Sequence, residues 1–268
     1  MQSSHKSAPF AAGGKQLMSH WMSPVIRWTA QPVFRDPPQT ESAKGDTTRS
    51  FGEKSRRALN VAVAAFSLLL ASPLFILIAI AVKLSSPGPV FFMQERVGLD
   101  RRRGPRERRS RTRGGPDRRT GNSGGKVFRM YKFRTMYVNA NNAPQVWATK
   151  NDPRVTPVGR ILRAFRFDEL PQLWNVLLGH MNIVGPRPEQ PEIFRELREE
   201  ISNYPRRQHV LPGITGWAQV NNGYDQTFKD VERKLGYDLE YLERRSATED
   251  FKIMAKTVPV VFGRKGYH

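Results

Sequence analysis

The chain has 268 residues, 38% of them hydrophobic, a formal charge of +20 and no cysteine. That length holds one ordinary domain with appendages or two small ones, a mean hydropathy of −0.56 excludes a protein made mainly of membrane spans, and the lack of cysteine excludes disulfides, thiolate metal sites and thiol nucleophiles, in keeping with a cytoplasmic setting. The basic excess predicts an anionic partner, whether nucleic acid, acidic lipid or phosphorylated substrate, without choosing among them.

Residues 1–52 are rich in Ser, Gln, Gly, Pro and Thr and have no apolar period, which predicts a disordered extension; no compact apolar segment near Met1 marks a signal peptide. Residues 53–84 predict a membrane helix. Ala58 to Val82 is 25 residues without a charge, more than the roughly 20 a helix needs to cross a bilayer. Ser72-Pro73, near its middle, predicts a kink. Lys54, Arg56 and Arg57 precede the segment and Lys83 follows it. Cations at both ends leave two topologies open: a kinked spanning helix, or a re-entrant one that returns to the face it entered.

After turn residues at Ser85 to Pro89 comes a short β-like run ending at Gly98. Arg101 to Gly125 is low in complexity and holds ten arginines against two acids, which predicts a basic loop without a core. Val127 to Met136 reads as a strand with Phe128, Met130, Lys132 and Arg134 on one face. Asn139 to Pro153 reads as a loop. Helical stripes then follow: Val158 to Phe165; Leu170, Leu173, Trp174 and Leu177, in a helix opening at Asp168 or Glu169; Phe194, Leu197 and Ile201; Phe228, Val231, Leu235, Leu239 and Leu242; and Phe251, Met254, Val258 and Val261. The last stripe suits either a membrane surface or the core.

The acidic pair Asp168-Glu169 has a local reading as a helix cap, since Asp is a preferred N-cap, Glu suits the first turn and Pro171 is tolerated there. Arg160, Arg163 and Arg166 just before it allow another, in which carboxylates among cations receive a phosphate; carboxylates serve as covalent nucleophiles and as Mg2+ ligands. Lys132 and Arg134 suit either a phosphate clamp or a solvated strand face. Gly185-Pro186-Arg187-Pro188 is a rigid turn presenting one Arg. Asp238 and Asp250, taken alone, read as solvated helix acids. The histidines show no metal-ligand spacing, and no Walker loop, dinucleotide Gly motif or nucleophile elbow occurs. LPGITGWAQV, from Leu211 to Val220, is turn-rich and by itself weakly informative.

In this order, the Ser72-Pro73 apolar segment, GPVFFMQERVG, YKFRTM, NDPRVTPVGRILR, DELPQLWNVL, IVGPRP, LPGITGWAQV, DLEYL and VPVVFGRKGY resemble the monotopic phosphoglycosyl transferases. This is the bacterial sugar transferase family, which begins exopolysaccharide and other glycan assembly on undecaprenyl phosphate. The resemblance covers residues 54–268 apart from the Arg-rich loop. It implies an α/β, mostly helical fold: a cytoplasmic, membrane-associated catalytic domain over 85–268, an N-terminal re-entrant membrane helix broken at Ser72 and Pro73, and interfacial helices, set at the bacterial inner membrane.

The implied activity moves a hexose 1-phosphate from a UDP-sugar to polyprenyl phosphate and releases UMP. The implied nucleophile is Asp168, with Glu169, joined by Asp168, holding the Mg2+ cofactor. Lys132, Arg163, Arg187, Pro188 and Asp250 are the implied substrate- and phosphate-binding residues, and Arg134, from the strand reading above, is expected to join them. On this reading Asp168 opens a helix whose dipole faces the phosphate. Expected partners are the two substrates, membrane lipid and, as an open option, a second copy in a homodimer; no nucleic acid is expected. The Arg101–Gly125 loop and an N-terminus without further membrane helices depart from the longer family members and suggest the short, catalytic-core form. Two rivals stand beside this: a membrane-tethered nucleic-acid-binding protein using the Arg-rich loop, and an inactive assembly scaffold.

Overall fold

The computed structural model describes residues 46–100, 125–138, 152–221 and 228–262. The predicted extension up to residue 45, the Arg-rich loop over 101–124, the loop over 139–151 and the basic end beyond Phe262 lie outside the described residues.

Helix α1 (Asp46–Ser85) runs 40 residues, about 60 Å at 1.5 Å per residue. It begins ahead of the predicted start at 53. Its apolar stretch is long enough to cross a membrane by length and composition. The Ser72-Pro73 step does not interrupt it. Pro73 has no N–H for the Leu69 carbonyl, its partner four residues back. Ser72 Oγ donates to that same carbonyl at 2.8 Å, so the acceptor that proline orphans is satisfied.

Arg56, Asn60, Ala64, Ile78 and Val82 are buried, all on one i, i+4 face. Between them Leu68, Leu74 and Phe75 pack against the rest of the protein. Phe66, Leu69, Leu70, Ile76, Leu77, Ile80 and Leu84 stay exposed, Leu69 at 75%. Each such side chain forgoes about 1.5–3 kcal/mol in water, and a contiguous face of them suits lipid as solvent.

Strands β1 (Phe91–Val97) and β2 (Val127–Phe133) form an antiparallel pair with Phe91 opposite Phe133 and Val97 opposite Val127. Phe128 and Met130 point into a core shared with Ala64 of α1. Phe133 is buried against Ile78, Val82 and Leu162 and touches the Phe75 ring at 5.1 Å. The predicted strand therefore ends at Phe133, and Arg134 lies beyond it.

Helix α2 (Pro157–Ala164) follows, capped by Thr156, whose Oγ1 accepts from Gly159 N. Next come a 3-10 turn (Phe167–Glu169) and short α3 (Gln172–Leu177). Strand β3 (Asn182–Val184) pairs in parallel with β4 (Gly213–Thr215). Between them lie α4 (Pro191–Glu200) and a second 3-10 turn (Tyr204–His209). Helices α5 (Trp217–Asn221), α6 (Phe228–Arg244) and α7 (Ala247–Phe262) complete the described chain.

Among the described residues the fold is thus mostly helical with two small sheets. Helix α7 is two-sided: Ile253 is fully buried with Tyr241 and Val184, while Phe251 and Val258 are exposed at 69% and 55%. Of the predicted stripe, Met254 packs against that core, while Phe251 and Val258 face outward.

Candidate active site

Asp168 and Glu169 do not open a helix, and Asp168 caps nothing. The pair forms the 3-10 turn, entered through Arg166 at φ 57°, a left-handed conformation that turns the chain out of α2. Proline explains the difference. Pro171 has no N–H for the Phe167 carbonyl, and Leu170 N takes it one residue early at 3.3 Å. Glu169 N likewise bonds to Arg166 O at 3.1 Å, so the ladder is i to i−3. Helix α3, six residues long and headed by Pro171, contributes little dipole. The electrostatic field at the pair comes from side chains.

Both carboxylates are buried, with 8% and 7% of their surface exposed. Glu169 is densely paired. Its Oε1 accepts from Lys132 Nζ at 3.2 Å and from Arg187 Nη2 at 2.5 Å, and its Oε2 accepts from Arg187 Nη1 at 3.3 Å. Burial pushes this carboxyl up, but Arg187 and Lys132 outweigh it and hold Glu169 well below the usual carboxylate range. Asp168 differs. Among the described residues no hydrogen bond reaches its carboxylate, and burial, then Glu169, push it above the usual range against the pull of Lys132, Arg163 and Arg166. Neighbouring acids pushed apart in this way mark a division of chemical roles.

Distant segments are fastened so that these groups meet. Asn175 on α3 takes Tyr131 N at 3.0 Å and donates to Arg129 O at 2.7 Å. That places Lys132 of β2 opposite Glu169. Arg163 on α2 donates through Nε to Thr135 Oγ1 at 2.9 Å.

Arg187 comes from the loop after β3, which lies directly on the segment around β4. Gly185 N bonds to Thr215 O at 2.9 Å and Gly213 N to Pro186 O at 3.0 Å. A Cβ on Gly213 would collide with Gly185 N, and one on Gly216 with Gly185 O. The glycines of LPGITG thus permit backbone-to-backbone contact, a role their sequence context did not reveal. Pro188 is buried, and its carbonyl accepts from Arg96 Nη1 at 3.0 Å.

Two predicted residues lie elsewhere. Arg134 does not share the Lys132 cluster. Its guanidinium donates to the carbonyls of Pro87 and Ser86, just beyond the C-terminal end of α1, and to that of Val82 in its last turn. Because the strand stops at Phe133, the two-residue alternation no longer applies to it. Asp250 joins Arg56 at the base of α1, with Oδ2 2.5 Å from Nη2, and accepts from Tyr241 Oη at 2.7 Å. It ties α7 to α1. Neither Asp250 nor Asp238 is solvated; both are buried.

Sequence reasoning passed over Arg96, Glu189 and Arg207, which hold the Arg187 loop, because their partners are remote in the chain. Among the described residues no group of three or more potential His, Cys or acidic ligands forms a metal cage. Mg2+, however, is ordinarily held by one or two carboxylates together with substrate phosphates. Among the described residues no hydrogen bond occupies the Asp168 carboxylate, and Glu169 Oε2 accepts a single bond, at 3.3 Å. The donor set fits that mode.

A buried acidic pair ringed by cations, in a protein whose long helix leaves an apolar face bare, can receive an anionic phosphoryl group. The chain belongs to the bacterial sugar transferase family, whose model matches residues 51–104 and 115–264. It is 43% identical over 205 residues to the UDP-glucose:undecaprenyl-phosphate glucose-1-phosphate transferase of Escherichia coli K12, covering 76% of this chain and 39% of that protein. A transferase of the same name from Caulobacter vibrioides is 38% identical, covering 76% and 68%. The UDP-N-acetylgalactosamine-undecaprenyl-phosphate N-acetylgalactosaminephosphotransferase of Aeromonas hydrophila is 37% identical, covering 77% and 43%. The chain thus spans about two-fifths of the length of the Escherichia coli and Aeromonas relatives.

Proposed function

We propose that this protein transfers a sugar 1-phosphate from a UDP-sugar to undecaprenyl or another polyprenyl phosphate, releasing UMP, through a covalent intermediate on Asp168. The observation that carries this is the asymmetry of the acidic pair: a buried carboxylate to which no hydrogen bond comes from the described residues, beside one held by Lys132 and Arg187.

The unbonded Asp168 oxygen attacks the sugar-bearing β-phosphorus. The bond from that phosphorus to the bridging oxygen breaks, and UMP departs with the electron pair. A phosphate oxygen of the polyprenyl acceptor then attacks the same phosphorus. The bond to Asp168 breaks, which restores the carboxylate and yields a polyprenyl diphosphate sugar. Such transfers depend on positioning and charge neutralisation. Lys132, Arg163 and Arg187 offset the negative charge, with Glu169 orienting Lys132 and Arg187. Mg2+, held by Asp168 and Glu169 with donor phosphate oxygens, would add further charge neutralisation when bound. The relatives' names span glucose and N-acetylgalactosamine, so a hexose or N-acetylhexosamine is the substrate class.

The same reading places α1 in the membrane without crossing it, with the catalytic residues on the cytoplasmic face. Both ends of α1 are fastened to the same body of protein. Arg56 pairs with Asp250, and Arg57 Nη1 donates to Met181 O at 3.1 Å. At the other end Arg134 grips Ser86 O at 2.7 Å. A crossing helix would carry one of these polar anchors to the far side.

The test is UMP release from a panel of UDP-sugars with polyprenyl phosphate, wild type against Asp168→Asn. Release by wild type that is abolished in a folded variant is expected. Equal release by the variant refutes the nucleophile.

A further inference from the structure

We infer that Arg207 is a positioning residue: by gripping the main-chain carbonyl of Arg187, it sets the loop that delivers the Arg187 fork to Glu169. This rests on the role given to Arg187 above.

The Arg207 side chain is 3% exposed and makes contacts in four directions. Nη2 donates to Arg187 O at 2.9 Å and lies 2.8 Å from Asp238 Oδ2 on α6. Nη1 donates to Glu189 Oε1 at 3.0 Å and to Tyr204 Oη at 2.5 Å. Glu189 is also paired with Lys234 at 3.1 Å. The next carbonyl in the loop, that of Pro188, is taken by Arg96, and Val97 N bonds to Glu189 O at 2.9 Å. Pro186 and Pro188 fix their own φ angles on either side of Arg187. With those torsions set, the position of the Arg187 carbonyl largely decides where its side chain departs.

The cost of the network argues that it does more than fill the core. Burying Glu189, Arg207, Asp238 and Lys234 removes four charges from water, and well-packed apolar side chains of similar volume usually hold such a site as stably. An apolar replacement cannot donate to Arg187 O. Of all the bonds in the network, that one points directly at a residue of the site.

The experiment pairs Arg207→Met with Asp238→Leu, removing both charges together and leaving Glu189 with Lys234. The purified full chain in detergent should fold with an unchanged or higher melting temperature. Hydrogen exchange at the Gly185, Gly213 and Val97 amides, which bond to Thr215 O, Pro186 O and Glu189 O on and around the loop, should rise about tenfold or more. UMP release should fall by about 10²-fold, the scale of an ångström-level misplacement. In an Arg187→Lys background the same pair should cause little further loss, because residues acting as one unit are non-additive.

Arg207→Lys, which keeps the charge but not the fork, is the second variant; it should loosen the same amides, and preserved protection there overturns the inference. So does wild-type loop exchange in the folded double variant, or an undiminished rate loss in the Arg187→Lys background. Loosened amides with unchanged UMP release would uphold the positioning role and instead refute the part given to Arg187 in the reaction.

Discussion

Replacing Arg187 with alanine strips Glu169 of its forked partner, and the consequence follows from the geometry. Two charge-assisted bonds are lost, one at 2.5 Å and one stretched to 3.3 Å. Such bonds contribute about 1.5–3 kcal/mol each, with the longer at or below the low end. Lys132 remains 3.2 Å from Oε1, so the carboxylate is not left without a counter-charge. Arg187 is 29% exposed, and water screens part of the loss. The expected destabilisation at pH 7 is therefore about 2–3 kcal/mol, below the 3–5 of a fully stripped buried charge. In a domain of this size that lowers the melting temperature by about 4–12 °C.

The pH dependence separates charge from packing. Folded Glu169 titrates well below its ordinary value of 4.5. Its stabilisation is complete above the unfolded value and is lost as pH falls through the folded one. Without Arg187 that depression shrinks. The stability gap between wild type and Arg187→Ala should be full at pH 7 and close as pH drops below about 4.5. Thermal unfolding in detergent across that range measures it. A gap of constant size from pH 7 to pH 3 would refute the reasoning and assign Arg187 to packing.

Three further outcomes are expected. Burial raises Asp168, so its charged form costs stability above its folded pKa. Asp168→Asn should melt at or above the wild-type temperature, most so at high pH, and wild-type UMP release should lose activity on the acid side at a pH above the ordinary carboxylate range. Arg134→Ala should lower the melting temperature, since it orphans carbonyls at the end of α1. It should leave KM for the UDP-sugar unchanged, and a raised KM with normal stability would return Arg134 to the phosphate site. Ser72→Ala should destabilise α1 by about 1–3 kcal/mol through the unpaired Leu69 carbonyl, and adding Pro73→Ala should restore it by supplying an N–H; a neutral Ser72→Ala would dismiss the substitution of hydroxyl for amide.

The helical stripes were legible because apolar spacing records which face is buried, as for Phe194 and Leu197 or Leu235 and Leu239. The apolar α1 was equally plain. The ends of elements were less so. The strand was carried three residues past Phe133, to Met136, although the chain leaves the sheet there and turns Arg134 toward α1. Pro171 was recognised as compatible with a helix start, but not as the residue that tightens the preceding turn into a 3-10 form. Asp238 and Asp250 looked solvated because nothing local shows that Arg207 and Arg56 will reach them. Partners remote in sequence leave no trace in spacing, so the framework that holds Arg187 came only from the three-dimensional arrangement. Order of motifs, in contrast, identified the family well.

The account turns on a bond between Asp168 and phosphorus, and intact-protein mass spectrometry of enzyme given UDP-sugar without acceptor tests it most directly. The prediction is an added sugar phosphate that maps to the peptide holding Asp168, disappears when polyprenyl phosphate is supplied, and never forms on Asp168→Asn. Turnover of the same donor by wild type with no adduct, or with the adduct on another side chain, would contradict it.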